Sequence, residues 1–266
     1  LSRALSYRRQ RSKIHSERGK KMLRSLKEMI KYELSAKDGK LGRCKDFLFD
    51  EEKWTLRYIV ADTGKWLPGK KVLISPISLG EVDSRAHTLS VRLTQKEIEE
   101  SPPLDEDAPI SRRYEQKWLQ YYGWPNYWYG DSLWGPTDYP VELYLERKQD
   151  LDEELEVTEE THLRSVWEVT GYHIHAVDGD IGHVEDFIVD DKTWVLRYMI
   201  VDTRNWLPGR KVLISPRWIQ SIVWAENKVY VNVTSDAIRN SPEYDPDQPV
   251  HPDYESRLHE HYGHSK

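Results

Sequence analysis

The sequence contains two copies of one long segment, and this duplication limits the fold more than any other feature. Leu56 to Pro76 reads LRYIVADTGKWLPGKKVLISP, and Leu196 to Pro216 reads LRYMIVDTRNWLPGRKVLISP. At an offset of 140 residues the match runs without a gap from 23–123 to 163–263, and 40 of the 101 paired positions are identical. Such a repeat is too long for one unit of a solenoid, so each copy should fold as a small domain.

The repeat divides the chain into four segments. They are a leader at 1–21, a first repeat at 22–123, a linker at 124–161 and a second repeat at 162–266. The residues Glu-Arg-Gly-Lys-Lys before Met22 are what a ribosome-binding site and an adenine-rich spacer would spell if translated. We therefore expect native synthesis to start at Met22; a disordered basic tail is the alternative.

Charge and cysteine content exclude several classes of protein. The whole chain carries −6, and because the leader holds eight Lys or Arg and one acid, 22–266 carries −13. Such an acidic body repels phosphate backbones, which disfavours direct nucleic-acid binding. No apolar run is long enough for a membrane span. The single cysteine, Cys44, excludes a disulfide framework and is expected in the core, so the default location is cytoplasmic.

Each copy reads as a series of short strands separated by turns. Asp38-Gly39 and Asp178-Gly179 lie between alternating runs and predict two-residue type I′ hairpins. Both faces of Trp54 to Asp62 are largely apolar, which indicates a strand buried on both sides. Pro68-Gly69 fits a type II turn, and Gly42 marks either a close approach of two backbones or a β-bulge.

Two helices are predicted after the strands of the first copy. Thr94 to Glu97 is a capping box. The second helix presents Tyr114, Trp118 and Tyr122 on one face, ends at Gly123, and should pack on a barrel, either its own or that of the other copy. The predicted fold class is mainly β, with two tandem small antiparallel β-barrels, each closed and each followed by short C-terminal helices.

Four stretches of the second copy resemble the PRC-barrel family. They are Gly171-Tyr172, Asp178 to Asp186, Arg197 to Val201 and Val212 to Pro216. The first copy matches less well, since Lys31-Tyr32 stands where the second has Gly-Tyr. The family includes the cytoplasmic domain of the photosynthetic reaction-centre H subunit and the C-terminal barrel of a ribosome-maturation factor. The resemblance to stand-alone tandem members from bacteria implies a β-barrel adaptor that often pairs and has no common enzymatic role.

Four ionic residues lie inside the most strongly repeated stretch, namely Arg57, Asp62, Arg197 and Asp202. They are candidates for binding an anionic or polar partner. The interpretation we favour is structural, with the arginines in ion pairs and the aspartates capping turns.

Five tryptophans are candidate interaction residues. Trp66 and Trp206 lie in a polar loop before Pro-Gly, where each could anchor an interface or fold back over the barrel. Trp124, Trp128 and Trp134 belong to a linker too aromatic to be a flexible tether. They could form a platform for a sugar, a peptide or another subunit, but we favour packing between two repeats that associate in cis as a pseudo-dimer.

His173 and His175 are two residues apart, on one face of a predicted strand, and are weak candidates for a metal site. The first copy has Glu33 and Ser35 there, and no third ligand has a recognisable spacing. We therefore predict no metal and no cofactor. No catalytic motif is present either, so we do not expect an enzyme.

The sequence thus predicts a non-enzymatic protein-interaction or scaffold module with an unidentified protein partner. Whether it also forms homo-oligomers stays open. One alternative is binding of a small molecule or metal through the aromatic linker or the histidines. Another is a factor in RNA or ribosome assembly that acts through a protein partner, since the acidic body disfavours direct contact with nucleic acid.

Overall fold

The computed structural model describes residues 22–64, 66–105, 107–145, 162–203 and 210–263. These residues form a mainly β structure with two seven-stranded sheets and several short helices, as the sequence predicts. The leader and the second repeat's loop with Trp206 lie outside the described residues.

The chain divides into two compact units. The described parts of the first come from Met22, Met29–Arg164 and Asp190–Val195. Those of the second come from Leu23–Glu28, Ser165–Val189 and the chain from Leu196 onward. A short segment of each repeat therefore belongs to the unit that is formed mainly by the other repeat.

The elements are numbered in chain order. The strands are β1 (Leu23–Ser25), β2 (Glu33–Ser35), β3 (Lys40–Asp50), β4 (Thr55–Asp62), β5 (Val72–Ile74), β6 (Leu79–Asp83), β7 (Thr88–Val91), β8 (Leu163–Ser165), β9 (His173–Ala176), β10 (Gly179–Asp190), β11 (Leu196–Asp202), β12 (Lys211–Ile214), β13 (Ile219–Val223) and β14 (Lys228–Val231). The α-helices are α1 (Leu26–Met29), α2 (Gln95–Glu99), α3 (Arg112–Tyr122), α4 (Pro140–Leu145), α5 (Val166–Val169), α6 (Ser235–Arg239) and α7 (Pro252–Gly263). Short 3₁₀ helices cover Pro76–Ser78, Pro216–Trp218 and Trp224–Glu226.

The sheet of the first unit has the order β5-β4-β3-β2-β7-β6, and β8 pairs with β3. The second sheet repeats this order as β12-β11-β10-β9-β14-β13, with β1 paired to β10. Two expectations are wrong. Each sheet contains one parallel pair, β2 with β7 and β9 with β14, and within the described residues neither path closes into a barrel. The edge strand β5 is only three residues long and ends just before Pro76, which has no N–H to extend a ladder.

The central strand and its close backbone contact confirm the sequence pattern. Seven of the eight residues of β4 are buried or half-buried, and Cys44 on β3 is buried as expected. A Cβ at Gly42 would lie 1.9 Å from the carbonyl oxygen of Asp62, so only glycine allows this approach. Gly69 has a φ of 71°, and the Lys70 N–H donates to the Leu67 carbonyl, as the predicted type II turn requires.

The predicted type I′ turns are wrong. The two hairpins form, but neither Asp38 nor Asp178 has the positive φ that this turn needs. Their carboxylates instead accept hydrogen bonds from the backbone N–H groups of Gln95 and Ser235, at 2.8 and 2.7 Å. Each aspartate therefore helps to cap the following short helix, α2 or α6.

The helices follow their sequence signals. The capping box at Thr94 and Glu97 is present. Helix α3 ends at Gly123, which has a φ of 69°, and Trp118 packs edge-on against Tyr58 of β4, with ring centroids 5.3 Å apart. The prediction that this helix packs on the sheet is confirmed.

Candidate functional site

The fully buried Arg57 lies at the centre of the candidate site in the first unit. Its Nη2 lies 3.0 Å from Oδ2 of Asp50, and its Nη1 donates to the Leu133 carbonyl oxygen at 2.8 Å. Although burial acts to raise the pKa of Asp50, the charge and hydrogen bond of Arg57 lower it below its usual value. A buried guanidinium needs such partners, because an unpaired charge removed from water is costly.

Two aromatic rings of the linker complete the environment of Arg57. Its guanidinium carbon lies 3.9 Å from the ring centroid of Tyr127 and 4.6 Å from that of Trp134. The Trp134 indole N–H is held by the Thr193 carbonyl oxygen at 2.8 Å. Both rings therefore add cation–π attraction to a guanidinium that is fully buried.

We call residues 124–145 the linker cap, because they cover this face of the first unit. Trp124 stacks on Tyr122, with centroids 4.6 Å apart. Lys53 donates to the carbonyl oxygens of Gly130 and Ser132, at 3.3 and 2.7 Å. Helix α4 then packs against the 3₁₀ helix Pro76–Ser78, all of whose residues are buried.

A buried polar cluster lies beside Arg57. The carboxylate of Glu115, on α3, accepts hydrogen bonds from the hydroxyls of Tyr58 and Tyr127, at 3.0 and 2.5 Å. His162 Nε2 lies 3.3 Å from the same carboxylate, and Arg112 approaches it at 3.5 Å. The cluster joins strand, helix and linker through one side chain.

Burial shifts the pKa values of this cluster in opposite directions. It raises the pKa of Glu115 to about 7, against the effect of Arg112 and the two tyrosine hydroxyls. It lowers the pKa of His162 to about 4, and the positive charge of Arg112 acts in the same direction. Both shifts favour neutral groups in a site with little water.

The second unit carries Arg197, Tyr198 and Glu255 at the positions of Arg57, Tyr58 and Glu115, but here the arginine pairs with the helix glutamate, whereas Arg57 pairs with Asp50. Arg197 lies 3.4 Å from Glu255, and the Tyr198 hydroxyl donates to Glu255 at 3.0 Å and lies 3.1 Å from His259 Nε2. The exposure differs, since the side chain of Arg197 is 32% exposed and that of Arg57 is 0%. Within the described part of the chain, no aromatic ring stacks on Arg197.

The 3₁₀ helix Pro216–Trp218 has no buried residue, in contrast to its counterpart in the first unit. Trp218 stacks on Tyr262, with centroids 4.1 Å apart, and so takes the place that Trp124 has on Tyr122. Among the residues that the structure describes, none covers Arg197 as Tyr127 and Trp134 cover Arg57. We call the surface formed by Arg197, Arg217, Trp218, Glu255 and His259 the open face.

The other ionic candidates have local roles. Asp62 is exposed and accepts from the N–H of Gly64 at 3.0 Å, so it caps the turn after β4. Asp202 is buried, 3.9 Å from His183. The structure brings Arg57 together with Asp50, and no ion pair joins Arg57 to Asp62.

The tryptophan candidates have different environments. Trp66 is half-buried, and Trp206 lies outside the described residues. Trp124 and Trp134 are fully buried in the first unit. Trp128 is half-buried, with the Arg112 guanidinium 4.4 Å above its ring. These linker rings therefore pack on the protein itself, and only the nearby Tyr129 is largely exposed.

The histidine pair lies on β9 of the second unit. His173 is exposed, and His175 Nδ1 is 2.7 Å from the Asp180 carboxylate. Within the described ranges, no three His, Cys, Asp or Glu side chains are placed to hold a metal ion together. None of the helices in this described part of the chain is long and apolar enough to cross a bilayer.

The sequence reasoning missed four members of the site, which are Asp50, Glu115, Tyr127 and His162. A signal existed for two of them, because Asp50 and Glu115 are identical in the second copy, as Asp190 and Glu255. Tyr127 and His162 have no such signal, since neither has an identical partner in the other repeat.

Residues 174–238 match the model of the PRC-barrel domain family. The matched region runs from β9 to α6 and includes Arg197 and the 3₁₀ helix of the open face. This part of the chain is thus similar to PRC-barrel domains. No curated protein matches the chain.

Proposed function

We propose that the chain is a non-enzymatic protein-interaction or scaffold module that binds its partner through the open face of the second unit. One observation carries this proposal. The same strand and helix residues hold the linker cap in the first unit, whereas in the second unit Arg197 is 32% exposed and has no such cap among the described residues.

The composition of the open face suits protein binding. Tryptophan and arginine are the residues most often found to dominate binding energy at interfaces. Here Trp218 is half-buried and Arg217 and His259 are exposed, around a partly exposed Arg197. The linker cap provides an internal example in which polypeptide occupies the equivalent surface.

We further propose that the first repeat is a second PRC-type domain and that the two repeats associate in cis. The matching strand orders of the two sheets support the first point. The presence of Leu23–Glu28 in the second unit supports the second, because it places a segment of one repeat in the fold of the other. A cytoplasmic location fits the single, buried Cys44.

The alternatives have less support. Burial of Trp124 and Trp134 removes the exposed aromatic surface on which small-molecule binding by the linker would depend. The histidine pair lacks a third described ligand. A role in RNA or ribosome assembly would still need a protein partner, because 22–266 carries −13.

In-cell photo-crosslinking tests the proposal. A photoreactive amino acid at His259, on the open face, should capture a protein partner, and the same group at the exposed Val177 should not. The variant Arg197→Ala should lose the captured partner. If the captured partner is lost with Trp66→Ala but not with Arg197→Ala, the interaction lies at the loop instead. If His259 and Val177 capture the same proteins equally, binding is not specific to the open face.

A further inference from the structure

We infer that the open face binds a segment of a partner protein with the chemistry of the linker cap. This segment presents two aromatic side chains that flank Arg197 and a backbone carbonyl oxygen that accepts from its guanidinium. The inference rests on the proposed function and names the class of ligand.

The first unit supplies the template for this binding mode. Over eight residues, from Tyr127 to Trp134, the linker cap provides two rings at 3.9 and 4.6 Å from the guanidinium carbon of Arg57 and one carbonyl oxygen at 2.8 Å. A planar guanidinium suits this arrangement, because its faces stack on rings while its edge donates hydrogen bonds. A lysine ammonium can donate hydrogen bonds and attract a ring, but it has no planar face to stack on two rings.

The second unit has the same strand and helix groups, and among the described residues none stands beside Arg197 as Tyr127 and Trp134 stand beside Arg57. Arg197 and Tyr198 occupy the strand positions of Arg57 and Tyr58, and Glu255 occupies the helix position of Glu115. Glu255 uses Oε1 for Arg197 and Tyr198, and no described residue is bonded to its Oε2. An incoming phenol could therefore donate to Glu255 as Tyr127 donates to Glu115.

Three differences between the units define the ligand further. Trp218 already covers Tyr262, so the segment need not supply the ring that Trp124 contributes in the first unit. The exposed Arg217 and His259 stand where the first copy has Ile77 and Leu119. Arg217 adds a positive charge to the rim, whereas partial burial lowers the pKa of His259, so an acidic residue of the segment would pair with Arg217.

A second copy of the chain is a poorer occupant. Its own linker rings, Trp124, Tyr127 and Trp134, are buried in its first unit, and releasing them would expose the fully buried Arg57. The ligand is therefore a segment of another protein.

The direct test uses a synthetic peptide of residues 125–138 added to the full-length protein. Labelled peptide should bind saturably in fluorescence anisotropy, and hydrogen exchange should slow in Leu196–Asp202 and in α7. Arg197→Lys keeps the charge but loses the planar contacts, and should weaken binding about tenfold. A peptide with alanine in place of Tyr127 and Trp134 is the matched ligand control and should not bind.

Several results would overturn the inference. The first is that the peptide does not bind at millimolar concentration. The second is that Arg197→Lys binds the peptide as tightly as wild type while its circular dichroism is unchanged. The third is that hydrogen exchange slows only in Thr55–Asp62, where the peptide would have displaced the linker cap. A crosslinked partner that still depends on Arg197 would then leave the proposed function standing and remove only this choice of ligand.

Discussion

Arg57 and Arg197 occupy the same strand position in two copies of one sequence, yet one is fully buried and the other is one-third exposed. An apolar strand with a single arginine predicts that the arginine forms an ion pair, and Arg57 does. The partner was not predictable, because Asp50 and Asp62 are both near in sequence. The register of β3 against β4 brings Asp50 near Arg57, and the cover from Tyr127 and Trp134, which is a long-range feature, encloses the pair.

Glu115 and His162 make the stability of the first unit depend on pH in opposite ways. Burial raises the pKa of Glu115 from 4.5 to about 7, so its stabilising contribution is complete below pH 4.5 and is lost as the pH rises through 7. Burial lowers the pKa of His162 from 6.5 to about 4, so its contribution is complete above pH 6.5 and is lost as the pH falls through 4.

Replacing Glu115 by glutamine isolates its share of this dependence. Glu115→Gln keeps the shape and one acceptor oxygen for the tyrosine hydroxyls, removes the charge and replaces the other oxygen by an NH₂ donor. We expect its free energy of unfolding, relative to wild type, to rise by about 1 kcal/mol between pH 6 and pH 8. Urea unfolding of both proteins at several pH values measures this difference, and the titration of His162 largely cancels in it.

The matched control is Glu255→Gln, because Glu255 holds the same helix position and its side chain is 18% exposed. The difference in free energy of unfolding between Glu255→Gln and wild type should change less over the same pH range. A Glu115→Gln difference that stays flat from pH 6 to pH 8 would show that Glu115 is already charged in the folded protein at pH 6, as it is in the unfolded chain.

At the scale of elements, signals that act over a few residues were predictable. The capping box at Thr94 and the glycine that ends α3 depend on neighbouring backbone groups alone. The parallel strand pairs and the pairing of β1 with β10 were not predictable. An alternating pattern is the same whichever strand lies beside it, and two similar repeats offer equivalent partners.

The Asp186 carboxylate is hydrogen-bonded to the segment Leu23–Glu28 within the second unit. It accepts from the Ser25 hydroxyl at 2.5 Å and from the Lys27 N–H at 2.9 Å, at the start of α1. Asp186→Ala should lower the free energy of unfolding by about 1–3 kcal/mol, because a buried acceptor is lost and its donors are left unpaired. Hydrogen exchange in Leu23–Glu28 should become faster.

The control for this prediction is Asp178→Ala, since Asp178 caps α6 in the same unit through Ser235. It should speed exchange in Ser235–Arg239 and leave Leu23–Glu28 unchanged. If Asp186→Ala also leaves Leu23–Glu28 unchanged, the segment is held by β1 pairing and packing rather than by this carboxylate.

At the scale of the whole molecule, the duplication predicts two similar sheets, which the structure contains. The asymmetry of the site was only partly predictable. The linker has no counterpart in the other copy, and we favoured packing of its rings over an exposed platform, but the sequence did not indicate that they would cover Arg57. The burial of Trp124 and Trp134 depends on contacts with α3 and β4, which follow only from the fold.

The central claim is that the linker cap buries Arg57, whereas its counterpart Arg197 is partly exposed. Phenylglyoxal reacts with accessible guanidinium groups. Peptide mass spectrometry of the native full-length protein after this modification compares the reaction rates of Arg57 and Arg197 within one sample. We expect Arg197 to react readily and Arg57 to stay protected until the protein unfolds. Equal rates at the two positions, or protection of Arg197 as complete as that of Arg57, would contradict the account.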